Sequence, residues 1–425
     1  MRLELKNIGK IDKANVELNG ITVIAGENNT GKSTVSKALY AVYNSFYEME
    51  MKVESERQQS IINEFKPIRF EPQLIIHRRL NIIMTLVSNI IDMYSRQPDM
   101  ESEGITNIIM NECKKLKLKL ANSQHELRRI SAKIYRILTI PADEIRASII
   151  RKMLVTEFSG QVINVLHNTS GEIYLTDDFM DIRILIDEDG EIKVEKLKNT
   201  VFYSKAVYID DPLVLDDYEN VIFGNYYNRK YINHRTHLGS LLFQYRDDEL
   251  LANEIIVNDK LKTLFSKISV VCRGNIIQDE DMYYYSENAS KIRLSIENLS
   301  TGLKTFAILK TLLQKNALTE NSILILDEPE IHLHPEWQLL FAELIVLLQK
   351  EFHLKVLLNT HSPYFLRAIE IYSAKYASRE KCKYYLASNI GETSVIKDAS
   401  DRTEEIYSLL AKPFQTLETE SSELC

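Results

Sequence analysis

Near the N-terminus, Gly26-Glu27-Asn28-Asn29-Thr30-Gly31-Lys32-Ser33 places two glycines, a lysine and a hydroxyl at the spacing of a phosphate-binding loop, the Walker A pattern. In such a loop successive backbone N–H groups curl around phosphate oxygens, and the next helix turns its positive N-terminus on them. Lys32 then reaches the β and γ oxygens, while Ser33 holds magnesium. The candidate ATP contacts are thus Gly26, Asn28, Asn29, Thr30, Gly31, Lys32, Ser33 and Thr34. A loop of this kind needs a buried strand before it and a helix after it. Gly20–Ala25 is β-branched and apolar, and Ser36–Phe46 is helix-compatible.

Three further segments bear on the same chemistry. Ser322–Leu326 is an apolar strand ending in Asp327-Glu328-Pro329, the Walker B arrangement. Asp327 is expected to steady magnesium through water, and Glu328 to take a proton from the attacking water. Alone, this reads equally as an acidic turn before proline. Val356–Thr360 is another apolar strand, and it ends at His361-Ser362-Pro363. A histidine at the carboxyl end of a parallel strand is placed to hydrogen-bond a γ-phosphate, although a capped turn would look the same. Ahead of Walker B, Ser300-Thr301-Gly302 precedes a helix-compatible run from Phe306 to Gln314. As a bare string it is a helix cap; directly upstream of Walker B it reads as a second phosphate cradle.

Taken in order, these motifs resemble the ABC-type ATPase heads of the SMC, RecF and OLD group. The opening Leu3–Ile11, the Gly26-Glu27-Asn28-Asn29 form of Walker A and Glu328-Pro329-Glu330-Ile331-His332-Leu333-His334-Pro335 are more similar to this group than to transporter subunits. The resemblance implies an α/β fold: a P-loop NTPase of ABC type with a mixed sheet, flanking helices, a helical insertion and a β-rich lid subdomain. It implies ATP and Mg2+ as cofactors and a homodimer that sandwiches two nucleotides, with a higher oligomer left open. Ser300, Thr301 and Gly302 of one subunit would close over the Walker A site of the other. It also implies a Q-loop glutamine touching ATP and magnesium, best matched by Gln161. Extended heptad arms and zinc-hook cysteines are missing, which departs from the long-armed branch.

The expected organisation assigns 1–45 and 157–212 to the N-terminal part of the head, 46–156 to a helical insertion, 213–290 to a lid and 291–425 to the C-terminal part of the head. In the insertion, Asn111–Ile140 carries Leu116, Leu120, Leu127, Ile130 and Ile134 near helical spacing, with a basic run from Lys114 to Arg136. Such a run suits phosphates or an acidic partner, but also a solvated helix face. From Gly171 the pattern turns to short alternating strands broken by Asp187-Glu188-Asp189-Gly190. His234, Arg235 and His237 lack metal-ligand spacing and read as surface residues.

With 45% apolar and 26% charged residues among 425, the chain has globular composition, and its net charge of −8 gives no global pull on nucleic acid. The four cysteines form no C-x-x-C pair, which suits a reducing cytoplasm. The N-terminus has no signal-peptide pattern, and no stretch is apolar enough for a bilayer. The segment after His361 has no second acidic triad and is too short for a nuclease domain of the OLD type. The layout therefore resembles ATPase subunits of anti-phage modules of the Septu, retron-linked or PARIS type, in which a nuclease or toxin is a separate chain. Two alternatives stay open: a RecF-like or SMC-like DNA-binding ATPase in repair, and an ATP-bound scaffold with little turnover.

Overall fold

The computed structural model of the chain describes residues 1–71, 75–166, 169–197, 204–218, 232–243, 261–280, 282–287 and 293–423. They fall into two units, one of residues 1–47 and 150–425, the other of residues 48–149.

The larger unit is built on an eleven-stranded mixed sheet. Its strands are β1 (Arg2–Ile8), β2 (Ile11–Glu17), β3 (Ile21–Gly26) and, beyond the second unit, β6 to β9 and β13 to β16. The helix α1 (Lys32–Phe46) follows β3 directly. The smaller unit holds α2 (Met49–Glu64), the short β4 (Phe70–Glu71), α3 (Ile76–Arg96), α4 (Ser102–Lys115), the short β5 (Lys119–Leu120) and α5 (Gln124–Thr139). The chain returns through α6 (Ala142–Glu157). After it come β6 (Gly171–Thr176), β7 (Asp181–Ile186), β8 (Ile192–Leu197) and β9 (Ala206–Ile209), then α7 (His234–Phe243). A separate three-stranded sheet is formed by β10 (Asn275–Asp279), β11 (Met282–Ser286) and β12 (Arg293–Ser295). The remainder alternates as α8 (Thr301–Gln314), β13 (Ile323–Asp327), α9 (Pro335–Phe352), β14 (Lys355–Thr360), α10 (Pro363–Lys375), β15 (Cys382–Ile390), β16 (Thr393–Asp398), α11 (Thr403–Leu410) and α12 (Lys412–Glu423).

Strand order explains where the chemistry collects. The large sheet runs β8-β7-β6-β1-β2-β16-β15-β3-β14-β13-β9. Its β8-to-β2 end is antiparallel hairpins whose residues alternate buried and exposed, as one-sided burial requires. From β15 to β9 all strands are parallel, and Ile21–Gly26, Ile323–Leu326 and Val356–Thr360 are buried throughout, because helices cover both faces. Phe306, Phe341 and Phe365, from α8, α9 and α10, belong to the same core as these strands. The four neighbouring strands β3, β14, β13 and β9 point the same way, so their carboxyl ends share one edge, where ligands bind in open α/β sheets.

In the smaller unit Asn111–Ile140 is not one helix. Its α4 ends at Lys115, Lys117 takes φ 54°, and a fresh helix starts after Ser123. The cause is a capping box: Ser123 accepts from the Glu126 N–H while the Glu126 carboxylate accepts from the Ser123 N–H. Leu127, Ile130 and Ile134 do face the core, joined by Ile83, Leu86 and Ile90 of α3. Of the proposed lid, 219–231, 244–260, 281 and 288–290 lie outside the described residues.

Candidate functional site

The loop after β3 is closed from within. Thr30 is buried and its hydroxyl donates to the Glu27 carbonyl at 2.8 Å, while Lys10 Nζ donates to the Asn29 carbonyl at 2.6 Å. Asn29 and Gly31 are left-handed, with φ 59° and 78°, and at Gly31 the absent side chain is what permits the turn into α1. No side chain caps α1 and no acid lies in its first turn, which leaves the helix N–H groups there free to meet an anion. Lys32 is only 4% exposed; its ammonium donates to the carbonyls of Gly26 at 3.1 Å and Glu27 at 2.9 Å, and lies 3.3 Å from Glu328 Oε1. Asn28 and Ser33 are exposed beside it.

Two neighbouring strands orient the acid at the end of β13. Asp327 Oδ2 accepts from the Tyr208 hydroxyl of β9 at 2.9 Å, and Oδ1 from Asn359 Nδ2 of β14 at 2.9 Å. The same amide donates to Ser36 Oγ at 2.9 Å, which ties α1 into the arrangement. The next residue, Glu328, has φ 49°, a costly conformation for a side chain with a Cβ, held by its N–H donating to the Asn359 carbonyl at 2.9 Å. Its Oε1, already beside Lys32, is 3.4 Å from His361 Nδ1, a nitrogen with no hydrogen-bond partner among the described residues. Glu330, 2% exposed, accepts from the Thr360 hydroxyl and from the His361 N–H, leaving Oε2 unpartnered. Burial pushes its carboxyl above the usual range.

Behind Asp327 is an ion cluster. The Tyr208 ring stacks on His234 with centroids 4.1 Å apart. His234 Nδ1 donates to Glu157 Oε1 at 2.6 Å, its N–H to Glu157 Oε2 at 3.0 Å, and Nε2 lies 3.0 Å from Asp210 Oδ2. Burial pushes this imidazole down, but the carboxylates of Asp210 and Glu157 outweigh it and hold the pKa at about 9. Burial, with Asp327 and Asp210 nearby, drives the Tyr208 phenol well above its ordinary range, so it remains a donor to Asp327. The expectation of surface histidines is therefore overturned at His234, which is buried and charge-paired. Spacing gave no hint because Glu157, Asp210 and His234 converge only in the fold.

Ser300 and Gln161 stand apart from this group. Ser300 is exposed and caps α8, its Oγ accepting from the Leu303 N–H at 3.4 Å. Thr301 is half-buried. Gly302 is buried, and a Cβ there would lie 2.8 Å from the His332 carbonyl oxygen and 3.2 Å from the Trp337 ring. Its small size is thus required by packing of α8 against the segment after Walker B. Gln161 is exposed, and the carbonyl of its neighbour Val162 accepts from the Gly9 N–H at 2.8 Å. Gly9 in turn packs on Thr34, where a Cβ would sit 3.0 Å from Cγ2. No polar contact within the chain joins Ser300 or Gln161 to Lys32, Glu328 or His361. Tyr208, Asn359, Glu330, Glu157, Asp210 and His234 are the site residues that sequence reasoning missed.

The residues fit a nucleotide with magnesium. Lys32 is a buried cation satisfied by carbonyls it can exchange for phosphate oxygens, and the uncapped α1 supplies N–H groups. Ser33 and Asp327 offer the hard oxygen donors magnesium prefers, and a metal that keeps waters and phosphate oxygens needs few protein ligands. Among the described residues, no group of three or more His, Cys, Asp or Glu is placed to hold a metal ion.

Comparison with known proteins gives three results. The model of a family described as AAA ATPase domain matches residues 1–366. A retron Vc95 probable ATPase from Vibrio cholerae serotype O1 biovar El Tor is 28% identical over 222 residues, covering 44% of this chain and 42% of that protein. The match thus spans less than half the length of that relative. Among solved structures, the SMC head domain from Thermotoga maritima is 12% identical with a TM-score of 0.37, covering 93% of this chain and 97% of its own. An SmcHead bound to the C-winged helix domain of ScpA is 14% identical with a TM-score of 0.42, covering 95% and 98%.

Proposed function

We propose, since this chain belongs to the AAA ATPase domain family, that it binds ATP at the Lys32 loop and hydrolyses it to ADP and phosphate with Glu328 as general base. The observation that carries this is the meeting of Lys32, Glu328 and His361, from three separate segments, around Glu328 Oε1 at 3.3 and 3.4 Å. Without nucleotide the ammonium and the histidine both lean on the carboxylate. When phosphates enter, Lys32 exchanges Glu328 and the Gly26 and Glu27 carbonyls for β and γ oxygens. That frees Glu328 to orient a water and take its proton as the water oxygen bonds to the γ phosphorus. The bond from that phosphorus to the bridging oxygen breaks, and ADP keeps the electron pair. His361 donates to a γ oxygen and thereby reports whether the terminal phosphate is present. Ser33 and Asp327 would hold magnesium, with Gln161 reaching toward it, and Tyr208 and Asn359 fix the Asp327 rotamer. Magnesium held there would supply positive charge to offset that developing on the phosphates.

Closure is proposed to need a second copy. Ser300, with the α8 N-terminus, is exposed and unused by its own chain's site, as a contact made in trans across a nucleotide sandwich would be. On the strength of the retron-associated relative, we further propose that opening and closing control a separately encoded effector, a nuclease or toxin, in anti-phage defence. Two variants test the reading. Lys32→Ala should lose ATP binding. Glu328→Gln should bind ATP normally while turnover falls by roughly 10²–10⁴. A Glu328→Gln protein that hydrolyses ATP at the wild-type rate would refute the assignment. Capture of partners by Glu328→Gln in ATP and magnesium tests the effector reading: a co-purifying nuclease or toxin supports it, and none refutes it.

A further inference from the structure

The smaller unit carries a feature that ATP hydrolysis does not use. Between the end of α2, the start of α3 and the first turns of α5 lies a cleft of about 910 Å³, within the range of pockets that hold small ligands. Phe70 and Ile130, both buried, contribute to its lining, and its walls are locked: the Arg69 N–H donates to Asn122 Oδ1 at 2.7 Å and Asn122 Nδ2 donates to the Pro67 carbonyl at 3.2 Å.

Four cations line this space, Lys66, Arg69, Arg79 and Arg129, against two carboxylates, Glu71 and Glu126. Glu126 is already committed to the capping box of α5, and its pKa is lowered chiefly by the Ser123 N–H. Arg79 is anchored through Nη2 to the carbonyls of Lys66 at 2.9 Å and Ile68 at 3.2 Å, which aims a fixed guanidinium at the cleft. The side chains of Lys66, Arg69 and Arg129 make no hydrogen bond or ion pair with any described residue. Two lysines of the basic run are paired elsewhere, Lys115 with Glu112 at 2.6 Å and Lys133 with Glu64 at 3.0 Å. A preformed cleft that brings three cations without a side-chain hydrogen bond or ion pair together with one pinned arginine, against two carboxylates of which one is committed to a helix cap, is organised for an anion. Guanidinium forks suit phosphate best.

We infer that this cleft binds a phosphate-bearing ligand, independently of the Lys32 loop. The phosphates come either from a nucleic-acid strand crossing the cleft or from a free nucleotide resting in it. The test uses full-length protein carrying Lys32→Ala, so that the first phosphate site makes no contribution and failure of the ATPase reading leaves this result unaffected. Binding of a labelled single-stranded oligonucleotide is measured by fluorescence anisotropy between 50 and 200 mM salt, with duplex, AMP and pyrophosphate as competitors. Four neutralised phosphates give a slope of log K against log salt of roughly −2.8 for a single strand, and adding Arg69→Ala with Arg129→Ala should cut it to roughly −1.4 and weaken binding at least about tenfold. Competition by AMP or pyrophosphate alone at equal phosphate would assign the site to free nucleotides; competition by strands alone assigns it to nucleic acid. Both arginines are exposed, so Arg69→Ala with Arg129→Ala in protein that retains Lys32 should turn over ATP as wild type does. Absence of binding by all probes, or binding with an unchanged slope in the double variant, overturns the inference.

Discussion

Asp327 is held by two donors on different strands, a phenol from β9 and an amide from β14. A carboxylate fixed in this way meets a metal without first losing rotamer freedom, the usual means by which an outer shell of contacts tunes a site. Tyr208→Phe removes one donor and keeps the buried ring stacked on His234. We expect kcat to fall about fivefold, from the loss of about 1 kcal/mol in one net hydrogen bond. The magnesium concentration for half-maximal rate should rise, while ATP binding in EDTA is unchanged. Turnover against magnesium concentration reads this directly; an unaltered magnesium dependence would reduce Tyr208 to a packing residue. At this scale the sequence was informative where chemistry demands consecutive residues. Gly26–Ser33 and Asp327-Glu328 each form one short string, whereas Tyr208 and Asp327 are 119 positions apart and nothing local to either announces the contact.

Elements place these groups by sharing one edge. The parallel strands β3, β14 and β13 deliver the Lys32 loop, His361 and Glu328 side by side, and β9 adds Tyr208 and Asp210. Glu157, at the last position of α6, and His234, at the first of α7, meet Asp210 behind them. This junction predicts a pH dependence. The folded-state pKa of His234 is about 9, above the ordinary value of about 6.5 for an exposed imidazole. Its stabilisation is therefore complete below about pH 6.5 and is lost as pH rises through about 9. Melting temperature should decline across that window in the wild type. In His234→Gln it should start lower, by the equivalent of about 3–5 kcal/mol for two buried carboxylates left without their cation, and should change less with pH. A wild-type melting temperature flat from pH 6.5 to 9.5 would contradict the paired state. Element types were readable from periodicity and β-branching, as in Val356–Thr360. Apolar spacing runs on at helical period through Asn111–Ile140, yet Ser123-x-x-Glu126 is a local hydrogen-bond pattern strong enough to start a new helix inside it.

For the whole molecule, one chain brings together Lys32, Glu328 and His361, the proposed phosphate contact, general base and γ-phosphate sensor, yet leaves Ser300 exposed. Gly302 shows why sequence alone is ambiguous there: its need for a missing Cβ is met inside the chain by His332 and Trp337, so a glycine in that motif serves packing whatever the motif also does across an interface. The proposed site shared between two copies is tested most directly by mixing two inactive variants. Ser300→Arg keeps its own Lys32 loop, and Lys32→Ala keeps its own Ser300. Each protein alone should hydrolyse almost no ATP. Mixed at equal concentration, they should recover turnover, because a mixed dimer has one intact site made of one partner's loop and the other's Ser300. Wild-type turnover by Ser300→Arg alone, or no recovery on mixing, would contradict a site shared between two subunits.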